Sequence, residues 1–190
     1  GYYSSVVGAT SKASCTPCPS GYFSNNTGTL LSNCIACSAG QYSDDQGSTQ
    51  CKKCLSGTFS GVLASSSCQS CPQGAIAPLP ESASCIPCNA GTFMNVTGSS
   101  GPCYACAPGY FTSSTSSAVC QKCPIGSYTS TVGSTSCVFC PAGTFNNVTG
   151  ASSQSACFSC PPGFYAPSAG SDECLPCSAG TFASSSGSTA

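Results

Sequence analysis

Histidine, arginine and tryptophan are absent from this 190-residue chain, and only nine residues are charged: Lys12, Lys52, Lys53, Lys122, Asp44, Asp45, Glu81, Asp172 and Glu173. Each absence removes a function. Nucleic-acid binding needs clustered Lys and Arg to displace counterions from phosphates, and four lysines cannot supply that. A formal net charge of −1 gives no long-range field to steer a charged partner. General acid–base chemistry near neutral pH rests most often on His. The acids lie apart, as the neighbours Asp44-Asp45 and Asp172-Glu173 and the lone Glu81, so the reading is non-enzymatic. No apolar run approaches the ~20 residues that span a bilayer, which excludes membrane insertion within this chain. The opening GYYSSVVGAT lacks the basic and apolar regions of a signal peptide, so the targeting segment of a secreted protein would lie outside this chain. Leu, Ile, Val and Phe total 27, too few to fill an ordinary core.

Cysteine, by contrast, supplies 20 residues, while Ser and Thr supply 56. The cysteines form ten C-x-x-C pairs beginning at 15, 34, 51, 68, 85, 103, 120, 137, 157 and 174, with a period of 17 and three insertions. Such self-similarity marks a repeat architecture. Gly follows the second cysteine by three residues in all ten copies, and an aromatic follows two residues later in nine (Ile76 is the exception). A second Gly lies ten residues after the second cysteine in seven copies, including Gly28, Gly47, Gly133 and Gly187. The unit reads C-x-x-C-x-x-G-x-[FY]-x4-G-[ST]-x2.

The first Gly suits a turn at positive φ. The stretch G-x-[FY]-x suits a short strand, and the second Gly with its Ser or Thr turns the chain back. Each repeat is then a hairpin-like loop whose aromatic provides a minimal core. The expected fold class is small disulfide-rich β, with tandem ~17-residue hairpin-like repeats forming an elongated solenoid-like rod with little hydrophobic core. Residues 1–14 form a partial repeat and 15–190 ten tandem repeats.

Paired C-x-x-C motifs also match a zinc ribbon. Five four-thiolate sites would each carry about −2 after binding Zn²⁺, and four lysines cannot offset them. Redox use of C-x-x-C needs an α/β frame that the repeat does not supply. Disulfides are therefore expected, with no metal, no cofactor and no catalytic residue.

The unit C-x-x-C-[PSNA]-x-G-x-[FY]-…-G-[ST]-x-x-C resembles the ephrin-receptor-like cysteine-rich repeat over essentially the whole chain. It is also similar to the first half of tumour-necrosis-factor-receptor cysteine-rich modules. The resemblance implies an extracellular or cell-surface location and a bond from each second cysteine to the first of the next pair. Carried over, that gives Cys18–Cys34, Cys37–Cys51, Cys54–Cys68, Cys71–Cys85, Cys88–Cys103, Cys106–Cys120, Cys123–Cys137, Cys140–Cys157 and Cys160–Cys174. An interlocked pattern, such as Cys15–Cys34 with Cys18–Cys37, is the alternative. The first pattern leaves Cys15 and Cys177 to pair outside the chain. Gly1-Tyr2-Tyr3 fits the G-x-[FY] phase, and thirteen residues follow Cys177, so the expectation is a window of a longer array.

Three N-glycosylation sequons begin at Asn25, Asn95 and Asn147, each seven residues after a second cysteine. They occupy the three lengthened loops, of 15, 14 and 16 residues instead of 13, which suggests loops enlarged to present a glycan. Serine runs such as Ser65–Ser67, Ser113–Ser117 and Ser184–Ser186 could accept O-linked sugars. Glycans would hydrate a surface almost without charge.

Repeats that contact only their neighbours stack in one dimension, with a rise of about 10 Å each if two strands ~4.8 Å apart are added per repeat. The expected function is that of an extracellular structural glycoprotein, a filament, stalk or coat component that self-associates with copies of the same array. The alternative is the ligand-binding or adhesive ectodomain stalk of a cell-surface receptor. The loop with Ala75, Ile76, Pro78, Leu79, Pro80 and Glu81, which lacks the aromatic, is where a specific lateral contact or a kink is expected.

Overall fold

Each hairpin starts at the glycine three residues beyond a second cysteine. In the computed structural model, which describes residues 1–4, 6, 11–25 and 34–190, this glycine takes positive φ, +80° at Gly91 and +73° at Gly126. A side chain there is strained. The next two residues form a strand, as in Thr92–Phe93, which pairs antiparallel with Tyr104–Ala105 in the register Thr92↔Ala105 and Phe93↔Tyr104. Among the described residues there are ten such two-stranded sheets, from Tyr2–Tyr3 with Thr16–Pro17 to Phe164–Tyr165 with Leu175–Pro176. The second strand is always the two residues inside the following C-x-x-C. Sequence periodicity did not reveal it, because two residues fenced by cysteines have no alternation to read. The remaining regular structure among the described residues is two 3-10 turns, Lys12–Ser14 and Gln154–Ala156.

The chain divides into two compact units, Gly1–Pro87 with Val96–Pro102, and Cys88–Asn95 with Cys103–Ala190. Within each unit one recurring set of backbone hydrogen bonds closes each hairpin, from its second cysteine back to its first glycine, and stacks it on its neighbours through the other three. In the second unit the N–H of Gly126 donates to the carbonyl of Asn146 (2.6 Å), Thr129 to Ala151 (3.1 Å), Cys140 to Gly126 (2.9 Å) and Gly150 to Cys123 (2.8 Å). The first unit repeats this with Gly40 to Ser60 (2.8 Å), Ser43 to Ser65 (3.0 Å), Cys54 to Gly40 (2.9 Å) and Ala64 to Cys37 (2.9 Å). These bonds satisfy backbone groups that two-stranded sheets leave open.

Two expectations are corrected. Contact is not confined to adjacent repeats. A Cβ placed on Gly126 would lie 2.1 Å from the carbonyl oxygen of Gly170, two repeats on, and one on Gly40 would lie 2.2 Å from that of Glu81. The first glycine therefore serves twice, in its turn and in this close approach. Nor do the aromatics make the core. The buried groups are chiefly the second cysteines and the residue directly after each aromatic, among them Cys37, Cys54, Ser43, Ser60 and Ala77 in the first unit, and Cys106, Cys123, Met94, Thr112 and Asn146 in the second. The rings themselves are mostly half-buried. The space between stacked hairpins, bridged by direct backbone hydrogen bonds, admits small side chains and sulfur and leaves the rings on the flanks.

The result is a nearly all-β, disulfide-rich repeat fold with solenoid-like stacking inside each unit.

Candidate functional site

Nine disulfides rung the stack, and each closes one hairpin: Cys18–Cys34, Cys37–Cys51, Cys54–Cys68, Cys71–Cys85, Cys88–Cys103, Cys106–Cys120, Cys123–Cys137, Cys140–Cys157 and Cys160–Cys174. The structure thus brings together every pair that the family resemblance implies, at Cα–Cα separations of 5.5–5.8 Å. The interlocked alternative is excluded in this arrangement, since Cys37 bonds Cys51. In each bond the second cysteine of a pair is buried and the first of the next is half-exposed. Eighteen sulfurs so used cannot serve as zinc thiolates. Cys15 and Cys177, both partly exposed, bond no other cysteine among the described residues.

The turn that follows each aromatic has its own chemistry. The buried hydroxyl after the aromatic bonds a Ser five residues on, in Ser43–Ser48 (2.7 Å), Ser60–Ser65 (2.6 Å), Thr112–Ser117 (2.6 Å) and Thr129–Ser134 (2.6 Å). That Ser also donates to the carbonyl three residues before it, as Ser117 does to Ser114 (2.9 Å) and Ser134 to Thr131 (2.7 Å). This accounts for the [ST] after the second glycine in the repeat. The pair itself was missed, although Ser or Thr at a spacing of five was there to be read. In the eighth repeat Asn146 takes the buried place. Its side-chain amide donates to the Ser127 carbonyl (3.0 Å), and its oxygen accepts from the Val148 N–H (2.9 Å).

The three sequon asparagines hold equivalent places, each two residues after the Phe that ends a strand. Asn25, Asn95 and Asn147 are all exposed, each directly after a buried residue. The Asn26 and Thr27 of the first sequon, and Gly28, lie outside the described residues. Two of these places flank aromatic pairs, Phe93 with Tyr104 at 6.0 Å between centroids and 50° between planes, and Phe145 with Phe158 at 6.1 Å and 48°.

Five of the nine charges pair with one another in the first unit. Lys52 bridges Asp44 (2.6 Å) and Asp45 (3.3 Å), and Lys53 pairs with Glu81 (2.6 Å). Gln41, the cross-strand partner of Lys53, donates to the other oxygen of Glu81. The hydrogen bond from Lys52 holds the Asp44 carboxyl below its ordinary range, and the bond to Asp44 raises Lys52 in turn. Hydrogen bonds from Lys53, then from Gln41, lower Glu81. The divergent loop expected to make a lateral contact therefore turns its charge onto its own unit, and its exposed members are Pro78, Leu79 and Pro80.

Depressions of about 190 Å³ beside Phe59, Val62 and Gln69, and about 230 Å³ beside Tyr165, Cys177 and Phe182, are smaller than the usual small-molecule site. The family described as tyrosine-protein kinase ephrin type A/B receptor-like matches residues 1–50, 27–71, 40–84, 109–157 and 152–190. The chain belongs to this ephrin-receptor-like family. Its repeats are non-catalytic ectodomain modules, and nine disulfides fit the oxidising extracellular setting that the family implies. No curated protein matches the chain. Among the described residues of this ephrin-receptor-like chain, no helix is long and apolar enough to cross a membrane.

Proposed function

We propose that this chain is a non-enzymatic extracellular structural glycoprotein, a disulfide-laddered segment of a filament, stalk or surface coat that assembles with copies of the same array. The observation that carries this reading is the uniformity of the stack. The same four backbone bonds, the same disulfide and the same turn recur along each unit, so length is what the sequence elaborates rather than any one loop. The absence of His and Arg and the scarcity of acids leave little for catalysis. Residues 1–14 are read as a partial repeat and 15–190 as ten tandem C-x-x-C repeats in the same phase. N-glycans at Asn25, Asn95 and Asn147, and O-linked sugars on exposed serines such as Ser113 and Ser184, would hydrate a surface with almost no charge. No cofactor enters this reading.

The second reading, a receptor or adhesin ectodomain stalk, draws on the family itself. Electron microscopy of native material separates the two. Long regular fibrils are expected here, and isolated membrane-bound particles would favour the receptor. Digestion with N-glycosidase is expected to lower the intact mass by one glycan for each occupied sequon.

A further inference from the structure

All three sequons have the form Phe-x-Asn-x-Thr: Phe23-Ser24-Asn25-Asn26-Thr27, Phe93-Met94-Asn95-Val96-Thr97 and Phe145-Asn146-Asn147-Val148-Thr149. The residue between Phe and Asn is buried every time, Ser24, Met94 and Asn146 being at most 3% exposed. On a chain leaving a strand, residues two apart share a side. With the middle residue turned inward, the half-buried Phe and the exposed Asn lie together on the outer side.

Across each hairpin the Phe is paired with a second large apolar residue: Ile35, Tyr104 and Phe158 respectively. These are 45%, 57% and 56% exposed. Of the other hairpins, four place Thr16, Lys52, Gln69 or Gln121 at the same position and three an apolar residue, Ile86, Val138 or Leu175, so it is the adjoining acceptor Asn that sets the three sequon hairpins apart. Apolar area left in water at these points is free energy not recovered by folding. The loop insertions spare this arrangement. The spacing from Phe to Asn to the turn glycine is unchanged, and the extra residues fall between Gly98 and Cys103 and between Gly150 and Cys157.

What fits a ring beside an acceptor asparagine is the apolar face of a pyranose. Its C–H groups are the positive partner for the negative face of the π system, and its glycosidic bond to Asn holds it beside the ring without the cost of association. We propose that Phe23, Phe93 and Phe145, widened by Ile35, Tyr104 and Phe158, are seats for the first N-acetylhexosamine of glycans on Asn25, Asn95 and Asn147. This rests on the glycosylation reading above and gives the sugar a structural place, as cover for apolar surface that the narrow stack cannot bury.

The test uses the whole secreted chain carrying ¹³C-labelled N-acetylglucosamine, trimmed enzymatically to one sugar per site. Ring protons of the sugars on Asn95 and Asn147 are expected upfield of those in free Asn-linked N-acetylglucosamine. Phe145→Leu is expected to abolish the displacement at Asn147 alone. Phe111→Leu, in a repeat with Ser113 in place of the acceptor, is expected to change neither. In parallel, the glycan on Asn147 should slow hydrogen exchange in the Phe145–Phe158 hairpin by about 2- to 10-fold, the equivalent of one aromatic contact, and have no such effect in Phe145→Leu. Should that variant fail to fold, Phe158→Ser, at an exposed position, is expected to reduce both effects. Occupied sequons whose sugars keep free-solution shifts, or shifts indifferent to Phe145→Leu and Phe158→Ser, would overturn the seat and leave glycosylation standing. Unmodified Asn25, Asn95 and Asn147 by intact mass would overturn both.

Discussion

The side-chain amide of Asn146 donates to the carbonyl of Ser127 at 3.0 Å, joining the buried interior of one repeat to the repeat before it. In four other repeats the same interior place holds a Ser or Thr bonded to a Ser five residues on, but in this repeat that residue is Ala151. The pair Asn146/Ala151 has thus exchanged a bond within the turn for one between turns. Asn146→Ser should leave a buried hydroxyl without its partner, at a cost of about 1–3 kcal/mol. Ala151→Ser in the same chain should return most of that loss by rebuilding the Ser–Ser pair, as coupled neighbours do. Hydrogen exchange at Val148 and nearby amides checks it: additive effects would show that the two positions are not coupled.

Gly91 and Ala64 test the two positive-φ positions of the repeat. At Gly91 a Cβ would lie 2.1 Å from the Gly133 carbonyl oxygen, at φ +80°. Gly91→Ala should therefore cost about 1–3 kcal/mol of overpacking besides about 1–2 kcal/mol of backbone strain. Ala64 and Ser116 stand where seven other repeats have Gly, at φ +58° and +57°. Ala64→Gly and Ser116→Gly should each stabilise by about 1 kcal/mol. Secretion yield and local exchange rates measure both. A neutral Gly91→Ala would mean that the second-neighbour approach is not a constraint.

The extent to which this architecture can be read from sequence follows from the length of its signals. Cysteine phase and the first glycine are marked by residue types that nothing replaces in any repeat, and the turn by a second Gly in seven of ten, so the hairpin and its boundaries are legible. The strand inside C-x-x-C is two residues long, and no periodicity can show it. The core was misjudged for a physical reason: ring size suggests burial, whereas the stack is too narrow for Phe93 or Phe145 and takes Met94 and Asn146 instead. The approach of Gly40 to Glu81 depends on how repeats are wound, which no single repeat encodes. At the sequons, spacing located Asn95 and Asn147, but the side they share with Phe93 and Phe145 became visible only with the burial of the residue between.

Removing Cys123–Cys137 should loosen the fold locally. Closing a loop of about 15 residues stabilises by about 3 kcal/mol in the chain-entropy account, and in a stack the loss is shared with immediate neighbours. Because contact reaches the second neighbour, Cys123→Ala with Cys137→Ala should raise exchange rates from Gly109 to Gly170, two hairpins on. Loss confined to the Gly126–Cys140 hairpin would show that the second-neighbour contacts carry no free energy.

Glu81 links the first unit to pH. Its carboxyl lies below the ordinary value of 4.5 because Lys53 and then Gln41 hydrogen-bond the charged form. A carboxyl depressed on folding adds stability that is complete above the unfolded value, and the contribution is lost as pH falls through the folded one. Exchange at the Glu81 amide, which donates to Cys54 at 2.8 Å, should be constant relative to intrinsic rates above about pH 5 and accelerate as pH drops below 4.5. Lys53→Met removes the larger cause, so the Glu81 midpoint should rise toward the ordinary value, leaving Gln41 to hold part of the depression. Side-chain carboxyl NMR titration reads this directly. A midpoint indifferent to Lys53→Met would show that the ion pair does not hold the charge, and Gln41→Ala would then have to produce the shift alone.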